Sequence, residues 1–276
     1  MPPEDVFLFY RDPTIVTSDG PDGTPDPMAA YRVASDMYDL QGAAPLFKVA
    51  RVKLDQPRDC AVAFMNVAAT APMKAVHDRT LEGLPPEYMY PKSEQYFLNV
   101  LSNANNAIVG IIDGDILAAK SILTCPDDES PYGWGDNFTP PMRDDEICVS
   151  GGISVLPEYR GNEFMRTMVH SWKEHAGTVG REWLLAEVDV RNLYSLENFL
   201  SEGLHVIGLA TDKSDGGNNY IVARRTEDAV AAEPILDNAI WCDVMAVDEQ
   251  RALLNDGYVG VSCDMRNQRV AYAPAV

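Results

Sequence analysis

Positive charge is what this sequence has least of: 22 Lys and Arg residues stand against 42 Asp and Glu, a formal net charge of −20 at pH 7. Binding to a nucleic-acid backbone draws much of its free energy from cations that release counterions, so direct nucleic-acid binding is disfavoured. The same excess attracts cationic ligands such as amines to any acidic cleft, although solubility alone would also account for it. Long apolar runs are missing too, since no stretch approaches the roughly 18–20 residues that span a bilayer. The opening Met1-Pro2-Pro3-Glu4-Asp5 is acidic where a secretory signal carries Lys or Arg, and the expectation is a cytoplasmic protein without a membrane partner. The five cysteines (Cys60, Cys125, Cys148, Cys242, Cys263) form no CxxC pair and the four histidines are scattered. Neither a structural zinc site nor a disulfide framework is indicated, no metal is assigned, and the thiols are expected to be reduced.

What is present belongs to a globular protein, with 46% hydrophobic and 23% charged residues and no repeat or low-complexity tract. The 276 residues suffice for one large domain or for a common-sized domain with appendages. Val6–Tyr10 reads as a short strand before an irregular Pro/Asp/Gly loop, and Met28–Leu40 has helical character. Phe47–Leu54 and Cys60–Val67 look like strands. Ser93 is placed to cap an amphipathic helix bearing Tyr96, Phe97, Val100 and Leu101 on one face. Asp113-Gly114 between two apolar runs marks a β-hairpin.

A long loop follows, from Cys125 to Asp145. It carries Asp127, Asp128, Glu129, Asp136, Asp144 and Asp145 among Tyr132, Trp134 and Phe138, and loops of this length in compact domains are usually functional or disordered. Beyond it come a strand over Glu146–Val155, a helix over about Asn162–His175 with a buried stripe of Phe164, Met165, Met168, Val169 and Trp172, and a strand at Trp183–Val190. A short helix at Ser195–Ser201, a hairpin from His205 to Ala223, and a terminal strand, helix (Glu249–Leu254) and hairpin complete the chain.

Two blocks carry chemistry. In Ile153-Ser-Val-Leu-Pro157-Glu-Tyr-Arg160-Gly161 an apolar strand turns tightly into a helix, whose first amides lack intrahelical partners and favour a pyrophosphate. Arg160 adds a permanent charge beside them. The second block, Val188 to Leu204, spaces Asn192, Ser195 and Gly203-Leu204 at fixed intervals. The order hairpin, strand, Pro-x-Tyr-Arg-Gly, helix, strand, Asn, short helix, Gly, hairpin over about residues 60 to 225 resembles the GNAT superfamily of acyl-CoA-dependent N-acyltransferases, as a divergent member.

The resemblance implies an α/β fold with a mixed, mostly antiparallel central sheet flanked by helices. It implies a GNAT-like domain over 56–227, with extensions at 1–55 and 228–276 that form a second lobe, cover the sheet or make a homodimer contact. It also implies acetyl-CoA, or another acyl-CoA, held by Ile153, Ser154, Val155, Arg160, Gly161, Asn162, Glu163, Phe164, Met165 and Asn192. A primary amine of a small molecule or protein, with a cationic acceptor favoured by the acidic loop, would receive the acyl group.

Three residues depart from the family pattern. Glu163 and Met165 stand where the loop is usually small, so that Glu163 either opposes the phosphates or points outward. Phe199 stands where many members carry a Tyr acid. The remaining candidates are Glu146 as base, with Asp145 second, and Tyr194 as acid. A catalytically weakened GNAT-fold module that binds a protein through its acidic surface is the alternative. Glu187 and Asp189 share one face of a strand, which suits cross-sheet hydrogen bonds or a catalytic pair.

Overall fold

A computed structural model describes residues 26–228 and 238–275, apart from the side chain of residue 87; the strand expected at Val6–Tyr10 lies outside these residues. The described elements are β1 (Tyr38–Val49), β2 (Val52–Met65), α1 (Thr70–Leu81), α2 (Glu94–Ser102), β3 (Ala107–Asp113), β4 (Ile116–Thr124), β5 (Ile147–Val155), α3 (Phe164–Thr178), β6 (Trp183–Asp189), α4 (Leu193–Ser201), β7 (His205–Thr211), β8 (Asn218–Arg225), β9 (Ile240–Asp243), α5 (Val247–Asn255), β10 (Tyr258–Asp264) and β11 (Arg269–Pro274). The class is mixed α/β and mostly antiparallel, as expected. The chain divides into two compact units, Met1–Ile122 with Gly152–Phe164, and Leu123–Gly151 with Met165–Val276.

In the first unit the strands run β1-β2-β3-β4. The β3–β4 turn falls where Gly114 accepts a φ of +63°, as the Asp113-Gly114 pair implies. All of β3 and nearly all of β4 is buried, the signature of strands covered on both faces. Ser93 caps α2, its Oγ accepting from the Tyr96 amide at 3.2 Å. Two expectations give way here. Met28–Leu40 is no helix: it forms two short 3₁₀ turns and then enters β1. Phe47–Leu54 is not one strand either, because the chain reverses at Ala50-Arg51, with Lys48 opposite Lys53 and Val49 opposite Val52. Both turn residues adopt positive φ, +50° and +66°. This is a two-residue hairpin made without the Gly or Asn that normally signals one.

The second unit is ordered β5-β6-β8-β7-β10-β11-β9. Its single parallel pair is β5–β6, in register from Ile147 opposite Trp183 to Ser150 opposite Ala186. Beyond Ala186, β6 continues to Asp189 against β8. Phe164, Met168, Val169 and Trp172 of α3 are buried as the helical stripe requires, and Trp172 stacks on Phe199 at 6.4 Å. The C-terminal strand, helix and hairpin also form as expected, joined at their centre by Gln250, whose Oε1 accepts from the hydroxyls of Tyr220 and Tyr272 at 2.9 and 2.8 Å.

The expectation of reduced thiols fails at one pair. Cys125 and Cys148 are disulfide-bonded, closing the long loop at its base, while Cys60, Cys242 and Cys263 are free. The loop ends meet because Thr124 and Val149 are neighbours, the Thr124 hydroxyl donating to the Val149 carbonyl at 3.2 Å. A spacing of 23 residues could not reveal that contact.

The loop itself is a packed structure. Tyr132, Trp134, Phe138 and Met142 cover an apolar cluster of Ile147, Val149, Leu185, Ala210, Ile221 and Ala223. Asp136 and Thr211 exchange two backbone hydrogen bonds of 2.8 Å, so the loop borrows the end of β7. Gly208 permits this approach, since a Cβ there would collide with the Phe138 ring. Gly208→Ala should therefore displace that ring and lower stability by about 1–3 kcal/mol, as overpacking does. Urea denaturation beside the unsubstituted protein would measure it.

Candidate functional site

In the first unit the segment after β5 carries most of the residues the sequence singled out. The β5 end is fixed by the Leu156 amide, which donates to the Ala118 carbonyl at 3.0 Å. The chain then makes a 3₁₀ turn at Pro157–Tyr159 and enters α3 at Phe164. Gly161 and Glu163 adopt φ of +79° and +59°. Residues 161 and 163 are exposed, while Asn162 and Phe164 are buried. Glu163 thus holds the left-handed backbone that a glycine would adopt without strain, with its side chain directed outward.

Asn162 does not offer its side chain to a ligand. Its Oδ1 accepts from the Phe47 and Lys48 amides at 2.8 and 2.9 Å, and its Nδ2 donates to the Lys48 and Tyr159 carbonyls, both at 2.8 Å. Only its backbone remains for other work. Arg160 is half-buried and makes a long bond, 3.4 Å, from Nε to the Val155 carbonyl.

Beside this segment lies a buried polar group that the sequence did not announce. Ser154 is buried, its Oγ 3.4 Å from His77 Nδ1. His77 Nε2 lies 3.0 Å from the Tyr90 carbonyl, which fixes the proton on Nε2 and leaves Nδ1 as acceptor. Lys120 Nζ is 3.5 Å from Nδ1 and 4.8 Å from the Phe97 ring centroid. Burial, with Lys120 adjacent, pushes the His77 pKa down to about 3, and burial holds Lys120 well below the ordinary lysine range.

In the second unit Met165 is half-buried in the first turn of α3. Asn192 caps α4, its Oδ1 accepting from the Ser195 amide at 3.2 Å. Tyr194 is 76% exposed, whereas Phe199 is buried against Trp172. Glu146 is bound locally: its Oε2 accepts from the Arg143 amide at 2.9 Å and its Oε1 lies 3.4 Å from Arg143 Nε. Asp145 also pairs with Arg143.

The pair Glu187 and Asp189 separates in character. Asp189 is held by Arg191, through Nε at 2.9 Å and NH2 at 2.7 Å. Among the described residues Glu187 forms no salt bridge. Burial pushes its pKa up to about 7, opposed by the Tyr132 hydroxyl, which donates to Oε2 at 3.4 Å, and reinforced by Asp212. A carboxyl titrating near neutrality can accept a proton from an amine. Alternation along the strand indicated its facing, but its burial depends on the Cys125–Glu146 loop folding back over β6. Of that loop's carboxylates, Asp127 closes its own turn by accepting from the Glu129 and Ser130 amides, and Asp144 accepts from the Tyr132 amide. Its aromatic rings pack against the apolar cluster.

Neither a family model nor a curated protein matches this chain. The likeness to GNAT acetyltransferases is found among solved structures. The chain is similar to yncA, a putative acetyltransferase from Salmonella typhimurium solved with its cofactor acetyl-CoA, at 10% identity over 64% of this chain and 100% of that one, TM-score 0.49. It is similar to the GNAT domain of S. lividans PAT at 13% identity, covering 66% and 96%, TM-score 0.46. It is also similar to the ribosomal-protein-S18-alanine N-acetyltransferase from Escherichia coli at 14% identity, covering 64% and 98%, TM-score 0.46.

The raised Glu187 pKa has a consequence for stability. Between its ordinary value of 4.5 and about 7 the folded chain retains a proton that the unfolded chain has released, so stability falls as pH rises through that window. Glu187→Gln should be more stable than the unsubstituted protein at pH 8 and should flatten the profile between pH values of about 4.5 and 7. Denaturation midpoints measured at stepped pH would check this.

Proposed function

We propose that this chain transfers an acetyl or other short acyl group from acyl-CoA to a primary amine. What supports this most is the backbone from Val155 to Met165. A strand ends in a tight turn, two exposed residues hold left-handed backbone, the residues between and after them are buried, and a 15-residue helix begins. Amide groups at such a helix start favour a pyrophosphate, and Arg160 adds charge. The outward Glu163 side chain removes the main objection to a phosphate there, because only backbone groups need to face it.

Bound acyl-CoA supplies an activated thioester carbonyl. Gly161 to Met165 with Arg160 would hold its pyrophosphate, and the backbone of Ile153 to Val155 would lie along its pantetheine arm. Glu187 takes the proton of the acceptor ammonium. The free amine then forms the N–C bond as the C–S bond breaks, the Tyr194 hydroxyl protonates the departing thiolate, and the second proton lost by the acylated nitrogen returns through solvent to the tyrosinate. Phe199, an aromatic without a hydroxyl, takes no part. An acceptor that is itself cationic suits the surplus of carboxylates, of which Asp212 lies in range of Glu187.

Acetyl-CoA at millimolar concentration should raise the melting temperature. A ligand present at a hundredfold its dissociation constant adds about 2.7 kcal/mol, and no shift would overturn the proposal. In a thiol-release assay with polyamines and Lys peptides, kcat/KM should rise with pH through about 7 as Glu187 ionises. Glu187→Gln should lower kcat by about 10²- to 10⁴-fold, the range for losing a general base, and Glu146→Gln should leave it within about twofold.

A further inference from the structure

We propose that Lys48, carried by the β1–β2 hairpin ahead of the core motifs, is a phosphate-binding residue of the Arg160–Phe164 loop and makes the chain selective for CoA thioesters over thioesters without the nucleotide. The inference rests on the acyltransferase reading and deepens it.

Lys48 stands directly over the loop. The Lys48 Nζ and Cε lie against the Cα of residue 161, where a Cβ would have to push that flexible side-chain end aside, while the φ of +79° is what calls for glycine. The backbone of Lys48 is clamped from both sides by Asn162, which accepts from its amide and donates to its carbonyl at 2.9 and 2.8 Å. The hairpin tip is clamped again where the Ala50 amide donates to the Glu158 carbonyl at 2.6 Å. Two non-glycine residues in succession hold positive φ at that tip, Ala50 and Arg51. Such backbone is costly and persists where surrounding contacts impose it.

The charges point the same way. Carboxylates outnumber cations 42 to 22 in this chain, so most exposed cations have an acid within reach. Among the described residues Lys48, Arg51 and Arg160 form no salt bridge. Burial sets Arg160 below the ordinary arginine value; Glu158 opposes that shift, and Arg79 and Arg51 add to it. Arg79 itself is engaged by Glu82 and Glu158. Three cations that form no salt bridge among the described residues, with Glu158 the carboxylate acting on Arg160, are what a polyanionic ligand would complete at this glycine turn. The amine over Gly161 also supplies charge in the loop that carries Glu163 in place of a neutral glycine.

The test compares acetyl-CoA with acetyl-pantetheine, which keeps the thioester and lacks the nucleotide phosphates. Titration calorimetry on the full chain should show acetyl-CoA binding weakened about tenfold to a hundredfold in Lys48→Gln, the range for one charge-assisted contact, with Lys48→Arg restoring most of it. Acetyl-pantetheine should bind Lys48→Gln and the unsubstituted protein equally. Equal or tighter acetyl-CoA binding by Lys48→Gln would overturn the assignment to Lys48 while leaving the acyltransferase reading intact. Failure of the unsubstituted protein to bind acetyl-CoA would overturn both. Equal losses for both thioesters would mark Lys48 as structural and overturn the proposal.

Discussion

One carboxamide governs the segment between β5 and α3. Asn162 spends its whole hydrogen-bonding capacity on four partners, three of them backbone groups of Phe47 and Lys48, and it is 1% exposed. Without it two amides and two carbonyls would lose partners in a half-buried place, which costs more than the mere absence of a contact. The same bonds carry the strain of the left-handed residues nearby, at Ala50, Arg51 and Glu163, each worth on the order of 1–3 kcal/mol. A segment that looks like a preliminary to the core is therefore fastened to the loop that leads into α3.

The second unit depends on a comparable device, in which the loop from Cys125 to Glu146 is anchored at its base by the disulfide and at its tip by the Asp136–Thr211 bonds. Its Tyr132 hydroxyl donates to Glu187. The result is a carboxyl kept near neutrality in pKa rather than a solvated acid. A carboxyl held in this way costs stability above pH 7, as the raised pKa requires.

Much of the fold was legible because periodicity and punctuation agreed. The β3–β4 hairpin, the stripe of α3, the Ser93 cap and the terminal strand, helix and hairpin each combine an apolar pattern with a turn or capping residue. Where punctuation was missing, reading failed. Ala50-Arg51 reverses the chain with no Gly, Asn or Pro to announce it, and Met28–Leu40 mimics a helical period over residues that pair or turn. Of the candidate site, the 153–165 loop was legible as local sequence. Glu187 was visible only as one of two alternating acids, because its hydrogen-bond partner Tyr132 sits on the loop between β4 and β5, 55 residues earlier in the chain. The Cys125–Cys148 pairing is of the same long-range kind.

The Lys120 ammonium offers a different use. With no exposed surface and a depressed pKa, it is an amine that an electrophilic reagent in solvent reaches only when β4 leaves its neighbours. Once exposed it would regain an ordinary lysine's behaviour, so its rate of covalent labelling reports opening of that unit rather than chemistry at its surface. The exposed Lys53 and Lys213 set the reference. The interior of the protein thus carries its own clock for how often it comes apart.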